Sequence, residues 1–253
     1  MTASLFIITG ASRGLGAAMA DQLLQPANVL LCMSRSPNPG LAERALTTAT
    51  RVEQWQRDLA DPVPVAQALE AWLNGFAPDH FGEACLINNA GVISRVGPVD
   101  ECSHTELSTA MRVGIEAALL LSAAFLKGTR GWRAQRKLLN ISSGLGRRAM
   151  AGSAPYCAAK AGMDHLSRAM ALDEAHRGSG ARIVSLAPGV IDTDMQVQLR
   201  AADAAGFPDQ GNFVKLQASG QLTSAEECWR RAPRESRQAV RPRSPRAPRT
   251  GRP

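Results

Sequence analysis

Short runs of apolar residues alternate along the chain with longer stretches in which apolar positions recur at helical spacing. The runs are four or five residues long, which suits buried strands, and the stretches between them are long enough for helices. The pattern predicts strands at residues 5–9, 29–33, 52–56, 85–88, 137–141 and 182–186. It predicts helices from about residue 15, over residues 65–73, over a long stretch at 105–126, and over 155–175.

The order of these elements indicates the fold class. Strands that alternate regularly with helices form parallel sheets whose two faces are both covered by helices. We therefore expect an α/β protein with a three-layer, doubly wound parallel sheet of the Rossmann type. The 253 residues, 45% of them hydrophobic, have the size and apolar content of one such domain. Ligands of these sheets bind at the carboxyl ends of the strands.

The pattern changes towards the end of the chain. Residues 196–223 are polar and contain glycine, and we expect them to form a flap over the site. From Cys228 onward the chain is rich in Arg, Pro, Ala and Ser, and recurrent proline with mutually repelling arginine predicts neither a strand nor an amphipathic helix. The predicted organisation is one folded domain at residues 1–227 and a disordered Arg/Pro-rich tail at residues 228–253.

The basic charge of the chain belongs to this tail. Residues 228–253 carry nine arginines and one glutamate, a net +8, so the other residues sum to −1 within the total of +7. The charge therefore says nothing about the ligand of the domain. Two hypotheses for the tail remain open. A reading-frame change near Cys228 would give this composition from GC-rich DNA, and a natural basic arm would bind nucleic acid or an acidic partner. No aromatic residue follows Trp229, so base stacking is not indicated and no nucleic-acid partner is predicted.

The cysteines and histidines show neither disulfide nor metal-ligand spacing. An odd number of scattered cysteines predicts reduced thiols, and the histidines are equally scattered, so we expect no metal. The longest apolar stretch, residues 117–126, is too short to span a bilayer, and the apolar N-terminal segment at residues 4–8 has the features of a first strand rather than a signal peptide. We expect a cytoplasmic protein with no membrane partner. The cysteines are Cys32, Cys85, Cys102, Cys157 and Cys228.

A glycine-rich turn lies between the first predicted strand and the first predicted helix. Its spacing, Gly10-x-x-x-Gly14-x-Gly16, departs from the GxGxxG fingerprint of general dinucleotide-binding folds. Glycines at such a turn let the backbone approach a pyrophosphate, and the helix amino terminus supplies free N–H groups and a favourable dipole. The turn predicts a dinucleotide cofactor.

The end of the second strand indicates which dinucleotide is preferred. In a typical NAD site an acidic residue there binds the adenosine ribose, whereas this chain has Ser34 and Arg35. Arg35 and Arg13 of the glycine turn can pair with a 2′-phosphate through charge-assisted hydrogen bonds. We therefore expect NADPH in preference to NADH.

Tyr156, the only tyrosine of the chain, precedes Lys160 by four residues on a predicted helix. Side chains at i and i+4 share one face of a helix, so the phenol and the ammonium can converge. A phenol titrates near ~10, and a nearby cation lowers that pKa. This spacing makes Tyr156 a candidate general acid or base.

Together these residues resemble the short-chain dehydrogenase/reductase family over about residues 5–195. The resemblance rests on five elements in order: the glycine turn at residues 9–16, the Asn-Asn-Ala-Gly run at 88–91, Ser143, the Tyr156/Lys160 pair, and Pro188 with Gly189. Residues 188–195 are similar to the branch that contains sepiapterin reductase and benzil reductase.

The resemblance implies roles for particular residues. Tyr156 would donate a proton to the substrate carbonyl oxygen, Ser143 would hydrogen-bond that oxygen, and Lys160 would hold the nicotinamide ribose and lower the Tyr156 pKa. The family spacing to the tyrosine selects Ser143 over its neighbour Ser142. Asp58 would meet the adenine, and Thr193 would lie near the nicotinamide amide. The implied cofactor-binding residues are Gly10, Ser12, Arg13, Gly14, Leu15, Gly16, Arg35, Asp58, Asn88, Ala90, Gly91, Tyr156, Lys160, Pro188, Gly189 and Thr193.

The chain departs from the family pattern at two places. Gly114 stands where many members have an asparagine that anchors a water linked to the lysine, and we expect the proton relay to be altered rather than abolished. The family closes its sheet with a seventh strand, whereas the Arg/Pro-rich tail occupies that place here, so we expect this final strand to be missing.

The resulting prediction is a short-chain dehydrogenase/reductase that uses NADPH to reduce a small ketone or dicarbonyl. We expect a homodimer formed through the two long helices, as the resemblance implies. Two alternatives remain: an NAD-linked alcohol dehydrogenase, and a catalytically disabled dinucleotide-binding protein.

Overall fold

The computed structural model describes residues 3–230 and contains the predicted doubly wound sheet. Among the described residues the sheet has six strands, all parallel, in the order β3-β2-β1-β4-β5-β6. The fold class and all six predicted strands are confirmed. The strands are β1 (Ala3–Thr9), β2 (Asn28–Ser34), β3 (Arg51–Gln56), β4 (Phe81–Asn88), β5 (Gln135–Ile141) and β6 (Arg182–Leu186).

Helices connect the strands and cover the sheet. The predicted helices are present, and the described residues contain four further α-helical stretches that the sequence pattern did not indicate: one after β2, two in the flap and one at residues 225–230. The helices are α1 (Gly14–Gln22), α2 (Pro39–Thr47), α3 (Pro62–Leu73), α4 (His104–Met111), α5 (Ala117–Gly128), α6 (Ala154–Ala175), α7 (Asp194–Arg200) and α8 (Gln210–Ala218).

Alternate residues of each central strand enter two different cores. Leu5 and Ile7 of β1 pack with α3, α5 and α6 on one face of the sheet. Ile8 packs on the other face with α1, α2 and the last described segment. A strand directs successive side chains to opposite faces, so a parallel strand buried on both faces is apolar throughout. Helices and loops therefore cover both faces of the central strands, and the candidate site lies at the carboxyl ends of these strands.

The long predicted helix at residues 105–126 is interrupted by one wide turn. Ser103 and Glu106 form a capping box at its start, and residues Arg112–Glu116 adopt a π-helical turn between α4 and α5. By length and composition the stretch His104–Gly128 could cross a membrane, but half of it is buried inside the protein, as in a core helix. The π-helical turn contains Gly114, the residue that departs from the family pattern.

Gly114 allows this turn to pack closely against α6. A Cβ built on Gly114 would lie 2.8 Å from the Cβ of Ala159, closer than side chains pack. Ala159 is buried one residue before Lys160. Glycine at this position therefore permits the approach of two helices beside the catalytic candidates, and asparagine would force them apart.

We predict that Gly114→Asn lowers the free energy of unfolding by about 1–3 kcal/mol, the usual cost of overpacking. The cost should shrink in an Ala159→Gly background, because the clashing methyl group is gone. Denaturant unfolding measures both. Gly211→Asn is a matched control, because a Cβ on this helical glycine has no neighbour within 4 Å. A Gly114→Asn protein as stable as the parent would contradict this explanation.

The described chain ends in a helical stretch at residues 225–230. Cys228 and Trp229 are buried there against the core of α1 and β2. The expectation of no helix from Cys228 onward is therefore wrong for residues 228–230, which are helical because two apolar side chains fill space beside the sheet. The remainder of the predicted tail, and with it the missing seventh strand, lies outside the described residues.

Candidate active site

The glycine turn packs directly against the loop that follows β4. Gly10 has φ +68°, and a Cβ there would lie 3.0 Å from the Cα of Ala90. A Cβ on Gly16 would overlap the carbonyl oxygen of Gly10. The topology places this turn where the strand order reverses, between β1 and β4, which is where doubly wound sheets bind ligands.

Thr9 and Asn89, which were not among the predicted site residues, fix this turn. The Asn89 side-chain amide donates to the carbonyl oxygens of Thr9 (3.0 Å) and Gly10 (3.3 Å). The Thr9 hydroxyl accepts from the backbone N–H groups of Asn89 and Ala90, both at 3.0 Å. Thr9 belongs to the glycine turn at residues 9–16 and Asn89 to the run at residues 88–91, so the motifs indicated that both lie near the site. The sequence did not show which atoms their side chains contact.

Asn88 is buried at the end of β4, and its side chain connects this strand to β5 and α5. Its side-chain amide donates to Asn140 Oδ1 at 2.8 Å on β5 and to Ser122 Oγ at 3.0 Å on α5. Its Oδ1 is buried without a hydrogen-bond partner among the described residues. Asn88 thus lies behind the loop containing Ala90 and Gly91, whereas those two residues lie at the site itself.

The arginines predicted to bind a 2′-phosphate are both exposed at the carboxyl edge of the sheet. Arg35 directly follows β2. Arg13 precedes α1 and pairs with Asp194, at the start of α7, at 2.9 Å. Asp58 is also exposed at this edge, and its Oδ1 accepts from the Ala60 N–H at 2.9 Å. All three side chains are exposed to solvent at this edge of the sheet.

Residues after β6 complete the other side of the turn. Thr193 lies next to the glycine turn, because a Cβ on Gly14 would be 3.5 Å from Thr193 Cγ2. Gly189 has φ +89°, a backbone conformation that favours glycine. Pro188 precedes it and accepts a hydrogen bond from Cys228 Sγ at 3.5 Å. Of the remaining predicted residues, Leu15 is buried and Ser12 is half-buried in the turn.

The two adjacent serines after β5 have different surroundings. Ser142 is buried, and its Oγ is 3.4 Å from the carbonyl oxygen of Lys160. Ser143 is half-buried; its Oγ accepts from the Leu145 N–H at 3.2 Å and hydrogen-bonds to Tyr156. The structure therefore brings Ser143, not Ser142, to the tyrosine hydroxyl.

Tyr156 and Lys160 lie on one face of α6, close to Ser143 and Gly91. Lys160 Nζ is 5.6 Å from the centre of the Tyr156 ring and donates to the carbonyl oxygen of Ile141 at 2.6 Å. A Cβ built on Gly91 would lie 3.7 Å from Lys160 Nζ. The three predicted catalytic residues thus converge next to the loop that the glycine turn contacts.

Burial raises the pKa of Tyr156 above its usual 10.0, although the Ser143 hydrogen bond lowers it. The expectation that Lys160 depresses this pKa is wrong here, because the ammonium lies over the ring and bonds to Ile141. Burial also lowers the pKa of Lys160 to about 8, against the opposing influence of Asp164. Near neutral pH Tyr156 holds its proton, and Lys160 is predominantly charged.

The low Lys160 pKa predicts a pH-dependent stability. Its pKa is about 8 in the folded protein and 10.5 ordinarily, so between those values the unfolded chain binds more protons. Below pH 8 the folded protein bears the whole free-energy cost of burying the Lys160 ammonium. This cost decreases as the pH rises towards 10.5, because the buried amine loses its proton before the amine of the unfolded chain does. The free energy of unfolding should gain on the order of 3 kcal/mol across that window.

Lys160→Met lacks this titration, so the wild-type minus variant difference in unfolding free energy should rise with pH. Denaturant unfolding at several pH values between 7 and 10 measures it. A difference that stays flat or falls with pH would contradict the assigned pKa.

A small apolar cluster borders the catalytic candidates. Its buried members are Met150, Leu199 and Phe207, and the partly buried ones include Ile93, Val96, Leu145, Cys157 and Ala202. Leu145 and Cys157 belong to the segments that hold Ser143 and Tyr156. Ile93, Val96 and Ala202 also line a cavity of about 650 Å³ between the loop after β4 and α7. The cluster therefore joins the catalytic segments to a cavity under the flap.

Comparison with known proteins gives matching results over most of the chain. A family model described as short chain dehydrogenase matches residues 4–204. A benzil reductase ((S)-benzoin forming) from Bacillus cereus is 31% identical over 220 residues, which cover 87% of this chain and 88% of the relative. Sepiapterin reductase from Meriones unguiculatus is 32% identical over 236 residues, with 87% and 88% covered. A solved short-chain dehydrogenase/reductase from Burkholderia vietnamiensis is 36% identical, with a TM-score of 0.64 over 80% of this chain and 93% of that one.

Proposed function

The chain belongs to the short-chain dehydrogenase/reductase family, and from that premise we propose that it reduces a small ketone or dicarbonyl to the alcohol with NADPH. The observation that carries the proposal is the convergence of Ser143, Tyr156 and Lys160 beside the glycine turn. The benzil reductase and the sepiapterin reductase to which the chain is similar support carbonyl reduction as the reaction class.

The residues of the turn fit a dinucleotide. Side chains at Gly10 and Gly16 would clash with the backbone of Ala90 and of Gly10, so glycine is needed at both positions. The helix α1 begins within this turn, at Gly14. Such a helix start offers free N–H groups to a pyrophosphate. Gly91 leaves the approach to Lys160 Nζ open, so Lys160 would hold the hydroxyls of the nicotinamide ribose. When bound, the reduced nicotinamide supplies the hydride.

Preference for NADPH over NADH rests on the two arginines. Arg13 and Arg35 flank the end of β2, and the residues that follow that strand include no carboxylate to bind a ribose 2′-hydroxyl. A guanidinium pairs with a phosphate through charge-assisted hydrogen bonds. Arg13 would exchange its exposed partner, Asp194, for the phosphate.

The proton chemistry favours reduction. The raised pKa of Tyr156 keeps the phenol protonated at neutral pH, so Tyr156 donates to the carbonyl oxygen as it gains negative charge. Ser143 hydrogen-bonds that same oxygen and already contacts the phenol.

The substrate would be an uncharged carbonyl compound with an apolar body. The partly buried members of the apolar cluster include Leu145 and Cys157, which lie in the segments that hold Ser143 and Tyr156. Phe207 and Phe213 stack at 5.7 Å between ring centres within the same flap. An aromatic ketone or 1,2-diketone would bury its rings against this wall.

The test is NADPH consumption by the purified full-length protein with a panel of ketones and 1,2-diketones that includes benzil. Turnover with NADPH that exceeds turnover with NADH supports the proposal. Alcohol oxidation with NAD⁺ as the better reaction would favour an alcohol dehydrogenase. Cofactor binding without turnover across the panel would favour a disabled dinucleotide-binding protein.

We further propose a cytoplasmic homodimer formed through α5 and α6. Leu119 and Leu172 are exposed on these two helices. A shallow cavity between them is lined by Ala123, Leu126 and Met170. Light scattering of the purified protein should give twice the chain mass, and Leu172→Glu should reduce it to one chain.

A further inference from the structure

Asp164 is a buried carboxylate that has no part in the catalytic roles described above. It lies on α6, four residues after Lys160, and is 4% exposed. Its Oδ1 accepts from Ser185 Oγ of β6 at 2.5 Å, and its Oδ2 accepts from Arg147 Nε at 3.3 Å. Ser142 also hydrogen-bonds to the carboxylate. Burying a charged group costs free energy unless the group is paired in this way. The partners of Asp164 therefore indicate what its carboxylate does.

Two of these partners flank the catalytic serine. Ser142 immediately precedes Ser143, and Arg147 ends the turn formed by residues Gly144–Gly146. The turn is closed by hydrogen bonds from the Gly146 N–H to Ser143 (3.0 Å) and from the Arg147 N–H to Gly144 (3.1 Å). Asp164 therefore holds both ends of the turn that presents Ser143.

The turn also lies flat against α6 at this point. A Cβ on Gly146 would be 2.8 Å from the carbonyl oxygen of Lys160 and 3.1 Å from Asp164 Oδ2. Glycine thus brings the turn within reach of the carboxylate. Through Ser185 the same carboxylate fixes α6 to β6, so the element that holds Tyr156 and the turn that holds Ser143 share one anchor.

We propose that Asp164 is a positioning residue that fixes the Ser143 turn against α6, so that Ser143 and Tyr156 meet one carbonyl oxygen. The proposal rests on the reductase function proposed above. Asp164 touches neither substrate nor cofactor, and it acts through Ser142 and Arg147. Its carboxylate also opposes the loss of the Lys160 charge that burial favours.

The test compares the full-length protein with Asp164→Asn and Arg147→Met. Misplacement of a catalytic group is expensive, so kcat for benzil reduction should fall roughly ten- to a hundredfold in Asp164→Asn, while KM for NADPH changes by less than about threefold. Arg147→Met, which removes a half-exposed partner, should cause a smaller fall in kcat. Amide hydrogen exchange of residues 144–147 should accelerate in both variants.

Glu43→Gln is the control, because it removes an exposed helical carboxylate from α2, away from both the Ser143 turn and the proposed dimer helices; kcat and exchange should stay as in the wild type. If Asp164→Asn does not fold, Arg147→Met tests the proposal alone. A wild-type kcat together with wild-type amide exchange of residues 144–147 in Arg147→Met overturns the proposal. If the wild type reduces no carbonyl at all, the reductase function fails on its own. Amide hydrogen exchange of residues 144–147 still tests the positioning role in that case. Faster exchange in the variants supports the role of Asp164, and exchange at the wild-type rate overturns it.

Discussion

Replacing Tyr156 by phenylalanine is expected to lower kcat for carbonyl reduction by roughly 10²- to 10⁴-fold, the usual contribution of a general acid. The variant keeps the ring, which packs beside Lys160, and loses only the hydroxyl that hydrogen-bonds to Ser143. NADPH binding and thermal unfolding should therefore be close to those of the wild type. Steady-state turnover, NADPH fluorescence titration and calorimetry measure the three quantities.

Ala158→Ser is the matched control for this prediction. Ala158 is exposed on the same turn of α6, between Tyr156 and Lys160 but on the opposite face. It should retain full activity. Retention of activity by Tyr156→Phe would assign the proton donor to another group.

The second large effect is expected at the ribose end of the site. The double variant Arg13→Ser/Arg35→Ser should lose roughly 10²- to 10⁴-fold in kcat/KM with NADPH, because each of the two charge-assisted hydrogen bonds contributes about 1.5–3 kcal/mol. With NADH the same variant should be little changed, because that cofactor carries no 2′-phosphate. The ratio of kcat/KM for the two cofactors isolates this interaction from general damage.

Arg182→Ser provides the control for lost positive charge. Arg182 is exposed at the start of β6, on the amino edge of the sheet, away from the glycine turn. Its removal should leave the cofactor ratio unchanged. An equal loss with NADPH and NADH in the double variant would mean that the arginines act on folding or steering and do not recognise the phosphate.

Strand and helix positions could be predicted from the sequence wherever burial gave a regular pattern. The four central strands β1, β2, β4 and β5 are largely buried, the edge strands β3 and β6 are half-buried, and the long helix α6 was found within one residue of each end. The helix α2 was missed because Pro39 and Gly40 at its start have the features of a loop, although proline suits the first helical turn. The flap helices α7 and α8 are short and give little periodicity.

The spacing of motifs brought Ser143, Tyr156 and Lys160 together, but their electrostatics depend on tertiary contacts. Four-residue spacing predicted a phenol pKa lowered by Lys160, and burial raises it instead. The roles of Asn89 and Asp164 depend on hydrogen bonds to distant segments, which no local pattern contains. Gly114 was notable in the sequence as a departure from the family asparagine, and its close contact with Ala159 depends on how two distant helices pack.

Hydride transfer itself is the most direct measure of the central claim. NADPH that carries deuterium on the transferring face of nicotinamide C4 would be incubated with benzil and the full-length protein, and the product analysed by mass spectrometry and NMR. The account predicts an alcohol with deuterium on the new carbinol carbon, in amount equal to the NADPH consumed, and formation of this product roughly 10²- to 10⁴-fold more slowly with Tyr156→Phe. A folded protein that binds NADPH but transfers no deuterium to any carbonyl would contradict it.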